Sequence, residues 1–216
     1  MQIKGFIFDL DGVIVSTDSC HYTAWKRLAD EEEIYFDREM NHRLRGVSRM
    51  ESLRIVLEQA KTQYTEDEML VLAERKNKYY QAYIKGLGTS DILPGVMEEL
   101  EKLKACNIKI AIGSSSKNTP MILKNLGLEG FFDAVADGND IIRSKPDPEV
   151  FVLAAQRLGL ECGECVVVED AEAGIEAALA AGMRAVGVGA AALSPNAHWV
   201  GTDLNCLKLD ELINGM

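Results

Sequence analysis

The first apolar run of the chain, Ile3 to Phe8, is broken only by Lys4 and Gly5, and its aromatic and β-branched residues predict a short buried strand of a parallel sheet. It ends abruptly on Asp9-Leu10-Asp11-Gly12. After Ser16-Thr17-Asp18-Ser19, which offers helix N-caps, strand patterning gives way to helical stripes as far as Leu87. His21, Trp25 and Leu28 share one stripe, and Leu53, Val56, Leu57 and Ala60 another. Over residues 66–84 the stripe Met69, Leu72, Ala73 continues through Lys76 to Tyr80 and Tyr83. The lysine there either snorkels its ammonium into water or carries a charge on a buried face. A helical insert follows from this pattern, and Thr17 with Gly86-Leu87-Gly88 marks its two chain crossings, a plausible hinge.

From Leu93 onward strand and helix alternate. Pro94-Gly95 opens a helix carrying Val96, Leu100 and Leu103, and residues 108–112 form a strand that empties into Gly113-Ser114-Ser115-Ser116-Lys117-Asn118, with Pro120 at the start of the next helix. Residues 131–136 read as a further strand. Ser144-Lys145-Pro146-Asp147-Pro148 is a stiff turn, capped by Asp147, into a helix with Val150, Phe151 and Ala154. Val166-Val167-Val168 repeats the opening theme by ending on Glu169-Asp170, before a helix with Ile175, Ala178 and Leu179. Residues 185–189 make one more strand, and Leu207, Leu209, Leu212 and Ile213 suggest a closing strand and helix. Alternation of this kind predicts an α/β fold with a parallel sheet covered on both faces.

Composition sets the bounds of this picture. The chain has 216 residues, 47% hydrophobic and 26% charged, which fits a soluble protein with one domain plus an insertion. The apolar runs are too short or too interrupted by acids for a spanning helix or a signal peptide. Lys plus Arg number 23 against 34 Asp plus Glu, a net charge of −11, so neither nucleic acid nor an anionic membrane is an expected partner. Five cysteines, an odd number, suit the reduced cytoplasm better than a disulfide framework. Cys162-Gly163-Glu164-Cys165 precedes a strand rather than opening a helix, and no second pair completes a zinc site, so these thiols read as buried or rim residues.

The candidate chemistry lies at the strand ends. Asp9 and Asp11 sit where open α/β sheets build ligand crevices, and two acids so close together invite a hard cation such as Mg²⁺. An Asx-turn would also account for either acid. Ser114 and its neighbours lead a strand into a helix N-terminus, a setting that suits an anion, although serine also caps helices for local reasons. Lys145 is either a fixed charge or an exposed turn lysine. Arg45 and Arg49 flank Gly46-Val47-Ser48 in a loop of the insert, where an arginine either meets a phosphate or is solvated. No phosphate-loop or dinucleotide fingerprint is present.

Asp9 with Asp11, Ser114, Lys145, and Glu169 with Asp170 resemble, in order and spacing, the four motifs of the haloacid dehalogenase-like phosphotransferase superfamily. The likeness covers the whole chain, and it implies a Rossmann-like doubly wound core over residues 1–16 and 88–216 with an inserted all-helical cap domain over 17–87. It also implies roles. Asp9 is the nucleophile that forms an aspartyl phosphate, and Asp11 is the general acid and base. Ser114 and Lys145 hold the transferring oxygens, while Asp9, the main-chain carbonyl of Asp11, Glu169 and Asp170 surround Mg²⁺. The cap motifs, Thr17, His21 with Trp25, Gly46-Val47-Ser48-Arg49 and Arg75-Lys76-Asn77, are most similar to those of sugar phosphomutases within the superfamily. They imply a monomeric isomerase that interconverts β-D-glucose 1-phosphate and glucose 6-phosphate through β-glucose 1,6-bisphosphate. Thr17, His21, Trp25, Gly46, Val47, Ser48, Arg49, Lys76, Ser115, Ser116, Lys117 and Asn118 would then bind the substrate. A sugar-phosphate phosphatase with the same nucleophile is the alternative, in which Arg49 and Lys76 only select substrate.

Overall fold

Strand β1 is Gly5–Phe8, and all four of its residues are buried, as a strand with no solvent face requires. In this computed structural model, which describes residues 2–44 and 47–214, four helices follow: α1 (Asp18–Glu31), α2 (Arg38–His42), α3 (Arg49–Leu57) and α4 (Glu66–Ile84). The chain then alternates through α5 (Val96–Ala105), β2 (Lys109–Gly113), α6 (Thr119–Asn125), β3 (Ala134–Ala136) and α7 (Glu149–Leu158). It closes with β4 (Cys165–Glu169), α8 (Glu172–Ala180), β5 (Arg184–Gly187), β6 (Trp199–Val200) and α9 (Leu209–Asn214).

The six strands form one sheet in the order β3-β2-β1-β4-β5-β6, every pair parallel. Period-two alternation sends side chains to opposite faces. Phe6, Phe8, Ile110, Ile112, Val166, Val168 and Val186 share one apolar cluster with Val96, Leu100 and Leu103 of α5, Ile122 of α6 and Leu209 of α9. Ile7, Ala111, Val167 and Ala185 point the other way, against Val150, Phe151 and Ala154 of α7 and Ile175 and Ala178 of α8. The sheet is therefore doubly wound. A third cluster is confined to the helical insert, where Trp25, Leu28 and Ala29 of α1 meet Leu53 and Val56 of α3 and Leu72 and Ala73 of α4. Thr65 caps α4 reciprocally with Glu68. Tyr80 and Ile84, at the far end of α4, belong to the core cluster instead, which anchors the insert to the sheet domain.

Three details differ from the pattern of the sequence. Phe131 and Phe132 precede β3 rather than opening it, because they meet edge to face at 5.7 Å and Phe132 is committed to the core. The final strand is Trp199–Val200, not the region of Leu207, which packs beside a 3₁₀ turn at Leu204–Cys206. A two-residue edge strand leaves almost no periodic signal. Leu179 lies on the outer side of α8, more than a third exposed, while Ile175 and Ala178 carry its buried face.

Candidate active site

The chain turns back on itself between β1 and β4, so the crevice at their carboxyl ends is the switch point of the sheet. Phe8 pairs with Val168, and the Asp9 amide donates to the Val168 carbonyl at 2.9 Å. The register therefore sets Asp9 beside Glu169 with no freedom to separate them. Lys145, on the loop between β3 and α7, reaches in between: its Nζ donates to Asp9 Oδ1 and to Glu169 Oε1, and all three residues are buried. Burial disfavours the lysine's charge, but the two carboxylates outweigh it and hold the Lys145 pKa above the ordinary value. Lys145 is thus a fixed cation rather than a turn residue.

One ammonium does not balance this crowd of acids. Burial, with Glu169 adding to it and Lys145 opposing, pushes Asp9 up to about 7. Burial, together with Glu169, Asp9 and Asp11, pushes Asp170 up to about 8. Two glycines allow this density. Gly12 has φ +87°, and a Cβ there would stand 2.1 Å from Asp170 Oδ2; a Cβ on Gly174 of α8 would stand 1.9 Å from Glu169 Oε1. Among the described residues no group of three or more His, Cys, Asp or Glu side chains is already converged as a metal shell, since Glu169 is turned to Lys145. The donor set nevertheless fits Mg²⁺: hard carboxylate oxygens, two of them with pKa values raised by burial and by their neighbouring carboxylates.

Asp11 faces elsewhere. Its Oδ1 accepts from the Thr17 amide at 2.7 Å, its Oδ2 accepts from Thr17 Oγ1 at 2.6 Å, and His21 Nε2 lies 3.8 Å from Oδ2. Thr17 was expected to touch substrate; it is instead fully buried behind Asp11, its hydroxyl also 2.9 Å from Tyr80 Oη. Lys76 does not snorkel. It is 3% exposed, its Nζ 2.8 Å from His21 Nδ1 and within 5 Å of the Trp25 and Tyr80 ring centres. Burial, then repulsion from Arg49, holds the Lys76 pKa well below normal. Burial, then Lys76 and Arg49, does the same to His21.

Asp9, Asp11, Lys145, Glu169 and Asp170 line the floor of one cleft of about 540 Å³. Ser114 to Asn118 form one wall, ordered by Ser116 N donating to Ser114 Oγ and Asn118 N to Ser116 Oγ, each at 3.2 Å. His21, Trp25, Val47, Ser48, Arg49 and Lys76 line it from the cap. Arg49, the first residue of α3, is steadied by Glu74 at 3.6 Å, and burial lowers its pKa. Gly46 lies outside the described residues. Asn77 belongs to the Arg75-Lys76-Asn77 motif, whereas the sequence motifs do not reach Gln81, Asn41 and Ser52. Asn77 Oδ1 accepts from Asn118 Nδ2 at 3.0 Å, and Gln81 Nε2 donates to Asn118 Oδ1 at 2.9 Å, so two amides one turn apart on α4 tie cap to core. Their i, i+4 spacing was the available signal. Asn41 and Ser52, both buried polar residues, line the cap side of the cleft.

A model of haloacid dehalogenase-like hydrolases matches residues 3–182. The chain belongs to the haloacid dehalogenase-like family. It is similar to a β-phosphoglucomutase of Bacillus subtilis, 48% identical over 189 residues that cover 87% of this chain and 84% of the relative. It is also similar to a phosphorylated carbohydrates phosphatase of Thermotoga maritima, 30% identical over 85% of this chain and 84% of that protein. Among solved structures, the β-phosphoglucomutase of Clostridium difficile superimposes with a TM-score of 0.93 at 41% identity, covering 99% of this chain and 98% of that one. The helical insert is accordingly the cap of a haloacid dehalogenase-like fold. Among the described residues no helix is long and apolar enough to cross a membrane, and all five cysteines are unbridged.

Proposed function

We propose that this chain is a Mg²⁺-dependent β-phosphoglucomutase that interconverts β-D-glucose 1-phosphate and glucose 6-phosphate through a phosphorylated Asp9 and β-glucose 1,6-bisphosphate. One observation carries the reading: a single cleft is lined at its floor by Asp9 and Lys145, and from cap and wall by Arg49, Ser116, Lys117 and Asn118. A substrate with a phosphate at each end needs two such cradles, and a mutase must hold one phosphate while the other reacts. The 48% identity to a β-phosphoglucomutase, against 30% to a sugar-phosphate phosphatase, favours the same side.

Asp9, directly after β1, attacks phosphorus with its carboxylate, which divides the transfer into two displacements. Lys145 and Ser114 hold the transferring oxygens. Asp9, Asp170, the main-chain carbonyl of Asp11 and Glu169 would hold Mg²⁺, which would supply the positive charge that offsets repulsion between nucleophile and phosphate. Asp11 takes a proton from the attacking hydroxyl of the monophosphate as phosphorylated Asp9 gives up its phosphoryl group to form the bisphosphate, and returns it to the leaving sugar oxygen when the bisphosphate has turned round and Asp9 is phosphorylated again. Thr17 sets the orientation of Asp11 from behind. Arg49 grips the phosphate that is not being transferred, with Ser116, Lys117 and Asn118 opposite it. His21, Trp25, Val47, Ser48, Lys76 and Ser115 complete the walls around the sugar. The cap is residues 17–87 and the core residues 1–16 and 88–216, with Thr17 and Gly86 to Gly88 as the crossings. The enzyme would act as a monomer, in the reduced cytoplasm that unbridged cysteines suit.

The test is chemical trapping. After incubation with β-glucose 1,6-bisphosphate and Mg²⁺, acid quenching and borohydride reduction should convert residue 9 to homoserine, detected by peptide mass spectrometry. Asp9→Asn should give no such product and no turnover with an unchanged circular dichroism spectrum. Reduction at another acid, or an active Asp9→Asn enzyme, contradicts the assignment.

A further inference from the structure

The cleft floor is polar and buried, yet its mouth carries two of the most exposed large apolar side chains among the described residues. Ile142, on the core loop between β3 and α7, is 94% exposed, and Leu70, on the first turns of α4, is 56% exposed; both line the cleft. A solvated isoleucine usually sits on a loose loop, and this one does not. Glu149, at the first turn of α7, accepts from the backbone amides of Ile142 and Arg143 at 3.1 and 2.9 Å, which fixes the backbone beneath the side chain. Arg143 is drawn aside by Asp147 at 3.0 Å. The same loop carries Lys145 three residues past Ile142. Opposite, the cap offers an apolar lip from Val47 and Met50 beside Leu70.

We infer that Ile142 and Leu70 are the two halves of an apolar latch: when the cap swings onto the core, Ile142 seats against Leu70 and seals the mouth of the cleft over the reacting groups. Both are positioning residues. Neither has chemistry to offer, but their contact removes apolar surface from water only in the closed state, so it biases the open–closed equilibrium toward closure. Sealing also decides what attacks the phosphorylated Asp9, because a mouth that leaks admits water in competition with the sugar hydroxyl. The second part rests on the mutase reading; the first holds for any phosphoryl transfer that needs the cap shut.

The experiment is a double-mutant cycle on the full chain. Ile142→Ser, Leu70→Ser and the double variant are assayed with β-D-glucose 1-phosphate, Mg²⁺ and a trace of β-glucose 1,6-bisphosphate, following total substrate consumption, glucose 6-phosphate and free phosphate. Each single variant should raise KM by roughly tenfold, as loss of a few buried methylene groups in the closed state implies. The double variant should be no worse than the poorer single one. Melting temperature should not fall, because both side chains are solvated when the cap is open, and Ile142→Leu should behave as wild type. The ratio of free phosphate to glucose 6-phosphate should rise in both serine variants. Single effects that multiply in the double variant, or an unchanged KM in Ile142→Ser, overturn the latch. Wild-type enzyme that releases only phosphate overturns the mutase reading instead, and the cycle on total consumption still decides the latch.

Discussion

Thr17 Oγ1 donates to Asp11 Oδ2 at 2.6 Å, and with the Thr17 amide on Oδ1 at 2.7 Å it grips both oxygens of one carboxylate at the point where the chain leaves the core for the cap. The proposed general acid and base is thereby tied to the first crossing between core and cap. Thr17→Val keeps the shape but strands the hydroxyl of Tyr80 and half of the Asp11 clamp. Loss of buried partners of this kind costs about 1–3 kcal/mol, so thermal unfolding should show a lower melting temperature. Turnover should fall more than KM rises, since Asp11 is misplaced while the phosphate cradles remain. A melting temperature and kcat matching wild type would remove Thr17 from the account.

His21 should titrate below the usual histidine range, because burial and then Lys76 and Arg49 disfavour its charged form. The folded value lies below the unfolded one, so the native state binds fewer protons: this group's stability is complete above about 6.5 and is lost as pH falls from there toward the folded pKa. Imidazole resonances followed by NMR should place the midpoint of His21 under 6.5. In Lys76→Met the midpoint should move upward, since one of the two neighbouring cations is gone. A normal midpoint in the intact protein would contradict the buried Lys76 and His21 contact.

Chelation should stop activity, and Mg²⁺ should restore it. Asp170→Ala should weaken the metal requirement's apparent affinity strongly, while Cys162→Ala should leave it alone, because a hard cation ignores thiols. Calorimetric Mg²⁺ titration of both variants reads this directly; equal weakening in the two would bring the thiols into the metal site.

Under the proposed function, Arg49→Ala removes a charge-assisted contact to the distal phosphate but leaves Asp9 and Lys145 untouched. Such a loss of about 1.5–3 kcal/mol corresponds to a fall in substrate affinity of roughly ten- to a hundredfold. The phosphorylated enzyme should still form in the borohydride assay, and it should then lose more of its phosphate to water. An unchanged KM would show that Arg49 serves Glu74 rather than the substrate.

Three residues of the cleft were legible because each ends or follows an apolar strand. Asp9, Ser114 and Glu169 stand directly after buried runs, and a parallel sheet brings such ends to one edge. Lys145 was ambiguous for the opposite reason: a turn lysine declares nothing until the loop shows it donating to Asp9 and Glu169. Thr17 marks a position that sequence places but whose contacts it does not give, and Lys76 lines the cleft from a burial that the stripe alone leaves open. Hydrogen bonds to Asp11 and burial between Trp25 and Tyr80 depend on how two helices cross, which periodicity does not encode. Gln81 escaped because it lies off the apolar stripe of α4, on a face where it and Asn77 meet the core at Asn118.

The central claim is that this cleft moves a phosphoryl group between two positions of one sugar. The measurement that tests it most directly follows glucose 6-phosphate and free phosphate together, in one reaction of the wild-type protein with β-D-glucose 1-phosphate, Mg²⁺ and a trace of β-glucose 1,6-bisphosphate. The account predicts that glucose 6-phosphate accumulates in near-equal amount to the substrate lost, with little free phosphate. Free phosphate without glucose 6-phosphate, at any level of bisphosphate, would contradict it.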